Sequence, residues 1–530
     1  MKAEGSASRP ADVPRPAAQW AALAGLVGGG LALGVAELLA GPLDRVPSPV
    51  LAVGDVVIDN SPRWLVEFGI GTFGTADKQA LTVGVVVASM AMAALLGIGA
   101  ARRPVVGRIG FGGFAVLGVL AAARSPETSL ALAVFAAFAA AAAGSLATGL
   151  LLTRAPSAAE VALPSVGSGV SIRSGGSRRA FLGLAGAFVA VAMASAAIGR
   201  SVSGMSRAAA ARARLVLPRP ARPLPARAPG NEPDVAGLSP FFTPNSRFYR
   251  IDEALVVPDI DPDDWRLRVS GLVEHPFELT YDELLDLPLV EADVTLACVS
   301  NIVGGDLIGN ARWLGVPLVD LLERAGVRSE ATQVVGRSAD RFTVGFPTAA
   351  VLDGRSALVA IGMNGEPLPV EHGFPARLVV AGLYGYVSAT KWLTEIELST
   401  FDAFDAYWIR QGWAREGPIK THARIDVPRP YAEIPTGTTT IAGVAWAPTR
   451  GIRTVEVQVD DRPWRTTTLA AASSDETWRQ WSIEWDAAPG AHLIRVRATD
   501  GSGGRQTATA RGPFPDGATG LHTVAVRIAG

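Results

Sequence analysis

The stretch 294–318, VTLACVSNIVGGDLIGNARWLGVPL, decides how this chain is read, because it holds the single cysteine in 530 residues. Val294, Thr295 and Leu296 make a β-like run before Cys298, and the Ser-Asn and Gly-Gly pairs within 300–305 signal a turn. The order predicts a thiol at the mouth of a strand, on a loop able to carry a cofactor. Taken alone, Cys298 admits two roles. Free cysteine is among the most buried residue types and behaves as a small hydrophobe. A thiolate is equally a soft, strongly donating ligand for a transition metal.

The rest of the composition narrows the field. A chain of 530 residues is too long for one core, so two or more domains are expected. A net charge of −1 gives no global case for nucleic acid. One cysteine excludes an internal disulfide framework, a cysteine-ligated iron–sulfur cluster and an all-cysteine zinc site. The histidines are His275, His372, His422, His492 and His522, all beyond the apolar N-terminal third. A haem held by two membrane histidines is therefore not expected.

Apolar runs fall at 18–40, 79–100, 105–123, 128–152 and 180–199, each near the roughly 20 residues that cross a bilayer. Five in succession predict an all-α transmembrane region over 1–200. Trp64, Phe68 and Phe73 in the loop 41–78 are candidates to dip into the membrane interface. Lys2, Arg9 and Arg15 precede the first run; Arg102, Arg103 and Arg108 lie between the second and third; Arg154, Arg173, Arg178 and Arg179 lie between the fourth and fifth. The positive-inside tendency puts these on the cytoplasmic side and everything after residue 200 outside. Arg200, Arg207, Arg212, Arg214, Arg219, Arg222 and Arg227 oppose that orientation. The run Ser177-Arg178-Arg179-Ala180-Phe181-Leu182 restores it, since it resembles the twin-arginine export signal, here with its apolar segment retained as an anchor.

Residues 201–240, with LPRPARPLPARAPG, read as a stiff, solvated linker. Over 241–423 strand-like runs at 266–269, 333–336, 358–361 and 377–380 alternate with short helical ones, which predicts an α+β domain. Thr280-Tyr281-Asp282-Glu283 is a capping box opening a helix through Leu287. Pro317 is expected to start another, running to Arg324 and stopped by Gly326. Over 424–530 the stretches TTTIAGVAWA, IRTVEVQVDD, WRQWSIEWD and HLIRVRATD alternate apolar and polar residues, as in an all-β immunoglobulin-like sandwich. Trp446, Trp464, Trp478, Trp481 and Trp485 are its candidate core, or some of them an exposed interface.

Three motifs in combination resemble one family: the Cys298 segment, then Glu371-His372-Gly373-Phe374-Pro375-Ala376-Arg377, then Tyr384-Gly385-Tyr386 leading to Lys391-Trp392. Residues 241–423 resemble the sulfite oxidase fold of molybdopterin-dependent oxidoreductases, a group that includes the catalytic subunit of the periplasmic methionine sulfoxide reductase. Residues 424–530 resemble the dimerisation domain that follows this core in sulfite oxidases, which implies a homodimer. The resemblance covers roughly the last 290 residues and leaves out the five apolar runs.

By this resemblance, Cys298 is the thiolate on a molybdenum ion whose other sulfurs come from a pterin dithiolene. His372 and Arg377 bind the pterin or its phosphate, and Ser388, Thr390 and Lys391 form the following loop contacts. The segment 241–250, FFTPNSRFYR, resembles the entry loop over the pterin and nominates Asn245, Ser246, Tyr249 and Arg250. The segment 336–340 nominates Ser338 and Asp340. These residue types match what a phosphate calls for, fixed positive charge and backbone donors. Arg377 presents a planar fork of donors where Lys391 presents a point charge.

The departures bear on substrate. Sulfite oxidases place arginines just after the cysteine, where this chain has Val299, Ser300, Asn301, Ile302 and Val303, and an active-site tyrosine where Trp413 falls. Ala381 stands where a proline is usual. The family's haem domain is not matched. The resemblance therefore implies oxygen-atom transfer on a small oxo substrate, a sulfoxide type ahead of sulfite, with electrons exchanged with a separate protein or a quinone. The expected setting is a cell membrane, with the catalytic domain extracytoplasmic. A non-catalytic membrane scaffold that keeps the fold and binds a partner through its sandwich is the alternative.

Overall fold

The computed structural model of the chain describes residues 16–529 apart from 42, 44–45, 63–64, 66–67, 70–71, 74–76, 125–127, 157–173, 204–206 and 227–231. Lys2, Arg9, Arg15, Trp64, Arg173 and Arg227 lie outside the described residues. The chain divides into a first unit, Met1–Ser206 with Ala254–Val256, and a second, Arg207–Glu253 with Val257–Gly530.

The first unit is helical: α1 (Ala18–Ala40), α2 (Pro49–Asn60), α3 (Asp77–Arg102), α4 (Pro104–Ala122), α5 (Leu130–Leu152) and α6 (Ser174–Ser203). All but α2 are long and apolar enough to cross a membrane. At 12 residues α2 is too short to do so, and it forms within the stretch 41–78 that the hydropathy pattern assigns to a loop. Small residues bring these helices together. Gly25 of α1 faces Ala93 and Gly97 of α3, Gly28 faces Gly144 and Thr148 of α5, and Gly34 and Gly41 face Ala192 and Gly199 of α6. A methyl group at any of these four glycines would collide with the facing helix. Between apolar helices in an apolar medium, such close approach supplies the packing that hydrophobic burial supplies in water. Phe181, from the twin-arginine-like run, is fully buried with its ring edge-on to Trp20 at 4.9 Å. Phe68 and Phe73 are exposed.

The second unit begins with α7 (Arg207–Arg214) and contains two sheets that carry the candidate site. One has the order β2-β1-β10-β5-β6, from β1 (Arg266–Gly271), β2 (Phe277–Thr280), β5 (Gln333–Ser338), β6 (Thr343–Pro347) and β10 (Leu393–Ser399). The other has the order β3-β4-β7-β8, from β3 (Val290–Ala297), β4 (Ile308–Pro317), β7 (Ala357–Met363) and β8 (Glu366–Pro367), with β9 (Arg377–Val380) also paired to β7. The local signals hold. Thr280 and Glu283 form a reciprocal capping box on α8 (Tyr281–Leu285), which ends two residues before Leu287. Helix α9 (Leu318–Ala325) has Pro317 as its N-cap and stops at Gly326, whose φ of +68° is a left-handed value that glycine adopts without steric penalty.

The C-terminal region forms two further sheets. Strands β11 (His422–Val427), β13 (Gly437–Trp446), β16 (Thr468–Leu469) and β17 (Arg479–Ala487) make the first; β12 (Glu433–Ile434), β14 (Ile452–Val459), β15 (Arg465–Thr466), β18 (Gly490–Asp500) and β19 (Thr523–Ile528) make the second. They enclose a shared core with Ile441, Trp481 and Trp485 on one side and Val455, Ile494 and Val524 on the other. Trp446 and Trp478 depart from expectation: they are buried in the core of the α+β part instead. Trp478 reaches it with its indole Nε1 donating to Phe241 O at 2.8 Å and its backbone N–H to Thr295 Oγ1 at 2.7 Å. Trp464 is half-buried under the Arg497 guanidinium, 4.1 Å from its ring centre.

The described residues of the stretch read as a linker make specific contacts with the α+β part. Arg212 donates to the carbonyls of Pro367 and Leu368, Ala221 N–H to Leu289 O, and Arg312 to the carbonyls of Leu224 and Pro225. Leu215 and Leu217 pack on the α+β core. The polar composition of 201–240 suggests a solvated spacer. Its prolines hold an extended backbone, and extended backbone is what carbonyl and N–H groups at a sheet edge can pair with.

Candidate active site

Cys298 is the first residue beyond β3. In the β3–β4 hairpin Ala297 stands opposite Ile308, and Cys298 N–H continues the ladder to Leu307 O at 2.9 Å. Asn301 fixes the loop that follows: its N–H donates to Cys298 O at 3.1 Å, and its side-chain oxygen accepts from Leu307 N–H at 3.0 Å. Burial pushes the Cys298 thiol up, while the N–H and hydroxyl of Ser300, which donate to the sulfur, oppose that shift. The protein alone therefore keeps the thiol protonated, and a metal would take the proton's place on it.

Tyr249 lies near this sulfur and also near Arg377, which is in turn bonded to His372. The Tyr249 hydroxyl is raised mainly by burial and further by the Cys298 sulfur, with Arg377 opposing. Arg377 is 5% exposed, donates Nη1 to His372 O at 3.0 Å, and lies over the Trp313 indole at 5.1 Å. Burial lowers its pKa to about 10, which leaves it a cation at neutral pH. Among the described residues no carboxylate acts on that cation, whereas the Tyr249 hydroxyl does. His372 is lowered to about 4, first by burial and then by Arg377, so its ring is neutral. Its Nε2 is 3.2 Å from Asn245 O, a group that can only accept, so Nε2 carries the hydrogen and Nδ1 is left as an acceptor. Gly373 follows at φ +110°, where a Cβ would come within 3.0 Å of the Lys391 backbone. Only glycine lets the His372 turn and the Lys391 segment approach so closely.

A second cluster sits beside it. Asp252, its side chain 5% exposed, forms ion pairs with both Arg250 and Lys391. Lys391 Nζ also donates to Glu371 O at 3.2 Å and lies 4.7 Å from the Trp392 ring centre. The Ser338–Asp340 turn is tied to this segment by Ala339 N–H donating to Trp392 O at 2.9 Å. Within the turn, Asp340 N–H donates to Ser338 Oγ at 3.4 Å and Phe342 N–H to the Asp340 carboxylate at 3.1 Å. Ser388 is fully buried and spends its hydroxyl proton on Leu383 O and Tyr384 O. Asn245 spends its side chain on Met363 O and Asn364 Nδ2. Ser246 is exposed.

Residues 254–408 match the family described as "Oxidoreductase molybdopterin binding domain". The chain is 28% identical to human mitochondrial sulfite oxidase over 291 residues, 46% of this chain and 53% of that protein. It spans about half the length of the curated sulfite oxidases it matches. It is 36% identical over 157 residues to the uncharacterized oxidoreductase YuiH of Bacillus subtilis (strain 168), 30% of this chain and 76% of that protein. This chain belongs to the sulfite oxidase family of molybdopterin oxidoreductases. Among solved structures, the sulfane dehydrogenase SoxCD of Paracoccus pantotrophus is 25% identical, with a TM-score of 0.49 over 55% of this chain and 82% of that chain.

The residues of this family member fit a molybdopterin. A buried Arg377 with no carboxylate acting on it among the described residues, in a fold that holds it charged, is suited to an anionic group. Thr390 Oγ1 is buried and, among the described residues, has no hydrogen-bond partner, so it too can serve a ligand. Cys298 supplies a soft donor on a fixed loop. Sequence reading missed Asp252, Ser300 and Trp313. Ser300, two residues after the cysteine, was legible as a local donor; Asp252 and Trp313 act on partners 139 and 64 residues away, and no local pattern marks them.

The cations open to an oxyanion substrate are mostly spoken for. Arg312 is held by Asp293 at 2.8 Å, Arg415 by Asp405 at 3.1 Å and Lys420 by Asp516 at 3.0 Å. Arg410 donates to Asp405 O at 2.7 Å, and Arg247 is exposed. Trp413 lies among aromatic rings: Phe514 at 5.4 Å, Tyr386 at 5.9 Å and Trp408 at 6.1 Å between ring centres.

Proposed function

We propose that this chain is a membrane-anchored molybdopterin oxidoreductase that transfers an oxygen atom to or from a small oxo substrate, a sulfoxide type in preference to sulfite. The observation that carries the reading is that Tyr249 feels both the lone thiol at the end of β3 and a buried Arg377 on which no carboxylate acts among the described residues. Cys298 holds the metal, and Ser300 holds the sulfur in place through its two donated bonds. Arg377 and the Thr390 hydroxyl bind the anionic part of the pterin. His372, neutral, offers Nδ1 as an acceptor and so suits a pterin N–H. Asn245, Tyr249, Arg250, Ser338, Asp340 and Lys391 line the approach to it, Ser388 braces the loop before Thr390 through its bonds to Leu383 O and Tyr384 O, and the exposed Ser246 takes no direct part. When bound, the molybdenum centre supplies the two-electron oxygen-atom transfer. The substrate preference rests on the ion-paired state of Arg312, Arg415 and Lys420 and on the aromatic surroundings of Trp413.

Orientation follows from charge. Antiparallel packing of α3 on α4 and of α1 on α5 gathers Arg102, Arg103, Arg154, Arg178 and Arg179 at one end of the bundle, which is then cytoplasmic. The second unit is extracytoplasmic, its C-terminal sheets are immunoglobulin-like and serve a homodimer, and electrons pass to a separate protein or quinone. Metal analysis of the purified chain tests the central claim. One molybdenum per chain is expected, lost together with turnover in Cys298→Ser while circular dichroism stays unchanged. Full turnover in that variant would end this reading.

A further inference from the structure

Asp252 stands out as a buried carboxylate that forms ion pairs with two cations of the cofactor cluster. Its side chain is 5% exposed, and it bridges Arg250 in the same loop and Lys391 on a segment 139 residues away. Burying a carboxylate is unfavourable unless cations compensate it, so two cations are committed to one buried acid in a site that must also hold an anion. No described carboxylate acts on the neighbouring cation, Arg377. The difference follows from side-chain type. Arg377 is clamped by the His372 carbonyl and the Trp313 ring, and a planar guanidinium needs little more to stay aimed. Lys391 ends in a point charge on a flexible stem, with Glu371 O and the Trp392 face as competing partners.

We propose that Asp252 is a positioning residue for the anionic end of the cofactor: its carboxylate fixes the Lys391 ammonium and the Arg250 guanidinium side by side. This rests on the molybdopterin reading above. Two effects of neutralising Asp252 oppose each other. One more unit of net positive charge would draw an anion in. Loss of the tether would let Lys391 fall back on Glu371 O and Trp392, and would leave two like charges adjacent. The tether wins, because a charge-assisted contact needs a donor at hydrogen-bond distance, whereas net charge near a partly exposed Arg250 is screened.

The test uses the full-length, detergent-solubilised chain. Molybdenum per protein is measured after extended dialysis at low and high salt for the natural protein, Asp252→Asn and Asp252→Glu, alongside the melting temperature of each protein expressed without molybdenum. Asp252→Asn should lose cofactor about tenfold faster, corresponding to one weakened charge-assisted contact. Asp252→Glu should recover most of the retention, and the molybdenum-free proteins should melt within a few degrees of one another. Retention by Asp252→Asn equal to or better than the natural protein overturns the proposal, as does an equally large loss in Asp252→Glu. If the natural protein itself holds no molybdenum, the underlying functional reading fails instead, which is a separate outcome.

Discussion

Arg377 and His372 are bound to one another and divide the labour of charge between them: the guanidinium donates to the His372 carbonyl oxygen at 3.0 Å and, after burial, is the main reason the imidazole stays neutral. One residue is thus a fixed cation and the other an uncharged donor and acceptor, in contact and both buried.

That division predicts how Arg377 responds to substitution. Arg377→Lys keeps the charge but loses the fork and the stacking on Trp313, so cofactor retention should fall, and Arg377→Ala should fall further. Each charge-assisted bond is worth about 1.5–3 kcal/mol, so one lost bond means roughly tenfold to a hundredfold in affinity. Molybdenum content after dialysis reads this out; equal retention in all three proteins would contradict it.

The pH dependence has a definite sign. His372 and His422 both titrate at about 4 in the folded chain, lowered from the ordinary 6.5 chiefly by burial. Between those values the unfolded chain binds more protons than the folded one, so stability rises with pH. The contribution is complete above about pH 6.5 and is lost as pH falls toward 4. Melting temperatures should drop over that window, and His422→Gln, which removes one of these rings, should flatten the acid limb. An unchanged slope would show that burial of this ring does not govern the acid response.

The tie between the C-terminal sheets and the α+β part should be measurable at Trp478. Its Nε1 donates to Phe241 O at 2.8 Å, an oxygen that also accepts from Asn310 Nδ2 at 3.0 Å. Trp478→Phe therefore leaves that carbonyl satisfied, and the loss is one hydrogen bond of about 1 kcal/mol plus a partial cavity. The melting temperature should fall modestly, with a single cooperative transition preserved. Two separated transitions would show that the shared core does not couple the two parts.

Substrate preference follows from charge pairing. A doubly charged oxyanion in a partly dry pocket needs compensating cations, and Arg312, Arg415 and Lys420 each already face an aspartate. A missing charge-assisted contact costs on the order of 2 kcal/mol, some thirtyfold in affinity. Steady-state assays at matched molybdenum content should favour methionine sulfoxide over sulfite. Efficient sulfite turnover would mean that these cations leave their aspartates for the substrate.

Much of the architecture was written locally in the chain. Hydropathy marked the five long helices, the Thr280–Glu283 box and Gly326 marked the ends of short helices, and alternation marked β13, β14, β17 and β18. Each is an interaction among residues within about one turn or one strand, so sequence order alone displays it. The same holds for Cys298, whose place at the end of a strand depends only on the run before it and the turn after it.

What only the tertiary structure decided is which distant groups meet. It put Asp252 between Arg250 and Lys391, stacked Arg377 on Trp313, and committed Arg312 to Asp293. It moved Trp446 and Trp478 from the expected sandwich core into the α+β core and paired the backbone of Ala221 and Arg222 with the edge at β3. The physical reason is the same throughout. A charge or an indole reports in sequence only what it can bond to; which partner it takes depends on burial and on the closing of long loops, and neither is a property of the local chain.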